Sequence, residues 1–131
     1  MDWEALVAVA VAARGRAYAP YSGFPVGSAI LFADGEIVAG SNVENASSSL
    51  TLCAERVALF HGVSAGHGRP VAVVVVADGS RHVPPCGPCL QSLAEFAGPD
   101  LPVLLVLPDG RRDHTRLGSL LPHPFAFDRI K

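Results

Sequence analysis

Three cysteines fall in two short clusters, Thr51-Leu52-Cys53-Ala54-Glu55-Arg56 and Pro84-Pro85-Cys86-Gly87-Pro88-Cys89. They offer three soft thiolate ligands, and a carboxylate, Glu55, stands two residues beyond the first of them. Structural zinc sites close their tetrahedron with four protein ligands, whereas catalytic sites keep one position open for water or substrate. Cys53, Cys86 and Cys89 beside a glutamate that is not a ligand therefore predict a hydrolytic zinc centre.

Other readings of the same residues stand beside this one. Cysteine also packs as a small hydrophobe. A redox pair at Cys86 and Cys89 leaves Cys53 and Glu55 without a purpose. A closed structural site needs a histidine as fourth ligand, and His61, His67, His82, His114 and His123 are available. His82 lies four residues before Cys86, yet none of the five has the spacing usual for such modules.

The elements that must position these residues follow from the hydrophobic pattern. A helix is predicted over residues 2–18, with Asp2 as its N-cap and an end before Pro20. Alternation from Val26 to Phe32, an Asp34-Gly35 turn and a further extended run from Glu36 to Val43 predict a hairpin. Thr51 is the expected cap of a helix running to about Ala65, with Gly66 as its stop. The unbroken apolar run Val71–Ala77 suits a central strand covered on both faces. Pro88 near the start and Gly98 past the end bracket a helix over 87–97. Val103–Leu107 is a second buried strand, followed by a turn at 108–110 and a last helical turn at 117–121. The order α-β-β-α-β-α-β-β-α predicts an α/β fold, one mixed five-stranded sheet between helical layers, in a single domain over 1–131.

This arrangement brings Cys53, Cys86 and Cys89 to the N-terminal ends of two helices. A zinc ion with three thiolates carries a formal charge of −1, which makes bound water a poor acid. Two helix N-termini offset that charge and lower thiol pKa values. Arg56 adds a full positive charge next to the sulfurs.

Composition bounds the partners. Hydrophobic residues make up 50% of the 131 and charged residues 17%, below the roughly 25% of ordinary soluble domains. Such a chain is expected to bury part of its surface in an oligomer. The formal net charge is −2 and the only lysine is Lys131, which argues against nucleic acid as a partner. No stretch approaches the roughly 18 apolar residues of a membrane span. The opening Met1-Asp2-Trp3-Glu4 lacks the basic region of a signal peptide. With an odd cysteine count in metal-type spacing, the expected compartment is the cytoplasm.

At these residues the chain resembles the small, homotetrameric cytidine deaminases. Ala19-Pro20-Tyr21-Ser22-Gly23-Phe24-Pro25-Val26-Gly27 is similar to that family's Pro-Tyr-Ser-x-Phe-x-Val-Gly segment. Asn42-Val43-Glu44-Asn45-Ala46-Ser47 resembles its nucleoside-binding stretch, and the two zinc clusters, Gln91, Glu95-Phe96 and Leu120-Leu121-Pro122-x-x-Phe125 match in order. The zinc motif alone fits the wider zinc-deaminase superfamily; the ordered set fits the narrower family. Ser48 departs from a common tyrosine, and Leu90 from the arginine usual between the second zinc cysteine and Gln91.

The resemblance implies one zinc per chain and hydrolytic loss of ammonia from C4 of cytidine and 2′-deoxycytidine, in pyrimidine salvage. It implies Glu55 as the group that moves the proton, first as base and then as acid. Phe24, Asn42, Glu44 and Ala54 would bind the nucleoside, and Phe125 would reach a neighbouring subunit's site. Arg56 and Gln91 would stand behind the ligands. Two further readings remain at this point: deamination of an aminopyrimidine antibiotic nucleoside such as blasticidin S, and a zinc-stabilised assembly module without catalysis. Glu55 speaks against the last, since a purely structural centre has no need of it.

Overall fold

In the computed structural model, which describes residues 1–127, Asp2 caps helix α1 (Trp3–Arg14) by accepting the Ala5 N–H at 3.1 Å. The helix stops at Arg14 rather than continuing to residue 18. Tyr18 is already committed to extended pairing, its N–H donating to the Asn42 carbonyl and its carbonyl accepting from the Glu44 N–H, each at 2.9 Å. Strands β1 (Val26–Phe32) and β2 (Ile37–Ser41) form the expected hairpin around Asp34-Gly35. Helix α2 (Ala54–Ser64), β3 (Pro70–Ala77), α3 (Gly87–Phe96), β4 (Pro102–Val106), β5 (Arg112–Arg116) and the short α4 (Leu117–Leu120) complete the predicted order.

The five strands make one sheet in the order β2-β1-β3-β4-β5. Only β3 and β4 run parallel; the other neighbours are antiparallel. The side-chain period of two divides the apolar run of β3 between two cores. Ala72, Val74 and Val76 join Leu6 and Ala10 of α1 on one face. Val73 and Val75 join Ala58 and Leu59 of α2 and Leu90 and Leu93 of α3 on the other. Burying each such valine or leucine contributes about 1.5–3 kcal/mol, so the first layer holds α1 and the second holds α2 and α3 against the sheet.

Gly40 sets how close α2 comes to the sheet. A Cβ at this position would lie 2.2 Å from the Ala54 carbonyl oxygen and 2.5 Å from the Ala58 nitrogen. Only a residue without that carbon lets the first turn of α2 rest on β2. Among the described residues, no helix is long and apolar enough to cross a membrane.

Candidate active site and metal centre

Thr51 does not cap α2. Its hydroxyl accepts the Asn45 N–H at 3.0 Å and braces the 45–51 loop, which leaves Cys53 in the N-cap position. Cys86 takes the same position on α3, with Pro88 in the first turn. Neither cysteine makes a side-chain capping bond. A serine or aspartate there would spend its oxygen on the first-turn amides; the thiols instead turn toward one another.

The Sγ atoms of Cys53 and Cys86 are 3.4 Å apart and those of Cys86 and Cys89 are 3.1 Å apart, and all three lie within 4.8 Å of one another. Zn–S bonds of about 2.3 Å place tetrahedral sulfurs roughly 3.8 Å apart, so this spacing fits one ion. Cys86 is exposed, Cys53 half-buried and Cys89 buried. The Nη2 of Arg56 donates to the Cys53 sulfur at 3.6 Å. Hydrogen bonding from Cys89, then from Arg56 and Cys86, overcomes burial and pulls the Cys53 thiol down to about 5 from an ordinary 9.0. Cys89, as donor in that pair and more deeply buried, is pushed up. Arg56 thus places a cation beside the cluster, on the Cys53 side.

Glu55 follows on α2 and is 5% exposed. Burial pushes its carboxyl up to about 7 from an ordinary 4.5, and the neighbouring Cys53 thiolate adds to the rise. It lines a cavity of about 320 Å³ together with Phe24, Asn42, Glu44, Ala54, Cys53 and Cys86. That volume lies at the small end of the roughly 300–1,000 Å³ usual for small-molecule sites.

The polar groups at the far wall are fixed by their own bonds. Glu44 accepts from the N–H groups of Tyr21 at 3.0 Å and Ser22 at 3.1 Å and from the Ser22 hydroxyl. The Ser22 hydroxyl and then its amide hold the Glu44 carboxyl below the usual carboxylate range. Asn42 accepts from the Val26 N–H at 2.9 Å and donates to the Phe24 carbonyl at 3.0 Å. Between them Gly23, at φ 66°, takes the left-handed conformation that turns the chain into Phe24.

Several lining residues carried no sequence expectation: Ser22, Val75, Ala77, Val83 and Pro84. Ser22 was visible inside the Pro-Tyr-Ser segment. Val75 and Ala77 end β3, and ligands in α/β sheets collect at the carboxyl ends of strands.

Gln91 and Phe125 sit elsewhere. The Gln91 Nε2 donates to the Phe125 carbonyl at 2.9 Å, and the Phe125 N–H donates to the Gln91 Oε1 at 3.1 Å. Gln91 was expected behind the ligands, but these bonds direct its side-chain amide to the tail. Phe125 is 69% exposed and does not line the cavity of its own chain. Leu90 is buried in the core with Leu93, so its position is an apolar packing site.

The donor set is three sulfurs on two helix starts, with the buried Glu55 beside them and open space in front. It fits a resident zinc held by Cys53, Cys86 and Cys89. Comparison with known proteins agrees. The family model of the cytidine and deoxycytidylate deaminase zinc-binding region matches residues 1–105. The chain belongs to this deaminase family. A cytidine deaminase of Halalkalibacterium halodurans is 47% identical over 126 residues, 96% of each chain. That of Mycobacterium tuberculosis is 43% identical over 130 residues, 99% of this chain and 94% of its own. The crystal structure of the Burkholderia pseudomallei cytidine deaminase superposes with a TM-score of 0.90 at 44% identity, covering 95% of this chain and all of that one. The chain thus shares the mixed-sheet fold of those deaminases as well as their zinc-binding region.

Proposed function

We propose that the protein removes the 4-amino group of cytidine and 2′-deoxycytidine by hydrolysis, releasing ammonia and the uracil nucleoside. The observation that carries this reading is Glu55, a buried carboxyl that lines the same cavity as Cys53 and Cys86 without belonging to the sulfur cluster. Zinc, when bound, supplies the Lewis acidity that makes hydroxide available near neutral pH. Glu55 accepts the proton of the attacking water and delivers it to N3 of the ring, which makes C4 electrophilic. Oxygen adds to C4. Glu55, deprotonated again, takes the proton of the new C4 hydroxyl and hands it to the amine, which leaves as ammonia while the C4 carbonyl forms, so one carboxyl serves both as base and as acid.

Phe24 packs on the nucleoside, and Asn42 and Glu44 meet the ribose hydroxyls. Ala54, at the first position of α2, forms the wall beside the ring. A homotetramer is proposed, with Phe125 of one chain completing the site of another; the exposure of its ring in a single chain supports this. The physiological setting we infer is nucleoside salvage in the cytoplasm. Following the loss of cytidine absorbance in the near ultraviolet tests the activity. No loss with zinc-loaded protein, or loss of blasticidin S and not of cytidine, would overturn it.

A further inference from the structure

We infer that Gln91 is a positioning residue for Phe125, setting where that ring stands and so how tightly the nucleoside is held. The inference rests on the reading of Phe125 given above. Residues 121–127 carry no helix or strand, so the segment has no ladder of its own to fix it. The carboxamide of Gln91 supplies the equivalent of one rung. It donates to the carbonyl and accepts the N–H of the same residue, 34 positions away, at 2.9 and 3.1 Å. Antiparallel strands exchange the same pair of bonds between facing residues, and both lengths are those of good N–H···O bonds.

Burial does not hold Phe125 in place, since the residue is 69% exposed. It meets Phe127 edge to face at 5.2 Å between ring centres. The two bonds to Gln91 tie the Phe125 backbone to α3. Gln91 itself is rigidly carried. It stands on α3, two residues after Cys89, and its neighbours Leu90 and Leu93 are locked in the core. One short helix thereby fixes a metal ligand at its start and a substrate-covering ring through its second turn. Functional groups mounted on packed elements keep their geometry better than groups on loops.

The test compares wild type, Gln91→Ala, Phe125→Ala and the double variant for KM and kcat toward cytidine. Zinc content, thermal midpoint and hydrogen exchange of the Phe125 amide are read alongside. Gln91→Ala is expected to raise KM about tenfold with kcat little changed, in keeping with the loss of two hydrogen bonds. The double variant is expected to be no worse than Phe125→Ala, because both changes disable one device. The Phe125 amide should exchange faster in Gln91→Ala. Gln91→Glu, which keeps the length and the acceptor but loses the donor, should also raise KM, and it serves if the alanine variant does not fold. A wild-type KM in Phe125→Ala overturns the reading of Phe125 itself. A raised KM in Phe125→Ala with a wild-type KM in both Gln91 variants overturns the role of Gln91 alone. Additive KM effects in the double variant, or a drop in thermal midpoint with KM unmoved, reduce Gln91 to a structural tie.

Discussion

The Nη2 of Arg56 donates to the Sγ of Cys53 at 3.6 Å, across one turn of α2. The pair matters because zinc with three thiolates is formally anionic, and an adjacent cation restores part of the metal's acidity. With Leu90 buried in the core, its position supplies no second guanidinium. Arg56→Gln is therefore expected to lower kcat or zinc affinity by about 10–100-fold, the range usual for partners of metal ligands. Steady-state kinetics with parallel metal analysis measures it; wild-type values for both would show that the helix starts alone balance the charge.

Glu55→Gln should retain zinc and fold while kcat falls by about 10²–10⁴-fold. The amide keeps shape and hydrogen bonding but cannot carry a proton from water to the ring. An active glutamine variant would mean that another group moves the proton.

Purified protein is expected to hold about one zinc per chain, and Cys89→Ala to hold far less and to be inactive. Metal analysis decides. Full activity in the alanine variant would exclude Cys89, the most buried of the three thiols, from the ligand set.

Gly40→Ala should destabilise the fold by about 1–3 kcal/mol, because its new carbon meets backbone of α2 rather than a side chain that can move. The displaced first turn carries Ala54 and Glu55, so activity should fall too. Gly98→Ala, where an added carbon meets nothing within 4 Å, is the control and should be near neutral in urea unfolding. Equal stabilities would show that α2 can retreat from β2 without cost.

Free cytidine and 2′-deoxycytidine should react, and a cytosine inside a single-stranded oligonucleotide should not. A carboxylate at the ribose hydroxyls repels a 3′-phosphate, and Glu44 is held ionised by three donors from Tyr21 and Ser22. A net charge of −2 provides no basic groove to hold a strand. Comparable conversion of both substrates at matched concentration would show that Glu44 has been given the wrong role.

Much of this was readable from residue order. The unbroken apolar run of β3 announced a strand covered on both faces, and Val73 and Val74 do point into different cores. Cysteines at two helix starts announced the sulfur cluster, because clusters near the first turns of adjacent helices converge when those helices share a sheet face. What the sequence hid was long-range and bond-specific. Nothing local says that Tyr18 pairs with Asn42 and Glu44 and so ends α1 early, or that Thr51 serves Asn45 rather than α2. The destination of the Gln91 amide was equally hidden, since a glutamine on a helix has no preferred partner until the tail arrives.

Cys53 and Cys86 are 33 positions apart, and a single ion held between them closes the whole stretch from α2 through β3 to α3 into a ring. Opening that ring on unfolding releases the ion, so free zinc enters the unfolding equilibrium by mass action: a hundredfold excess over the dissociation constant adds about 2.7 kcal/mol. The same atom then sets both turnover and the lifetime of the folded chain. A copy without zinc lacks that added stability and opens more often to states that a protease can cut.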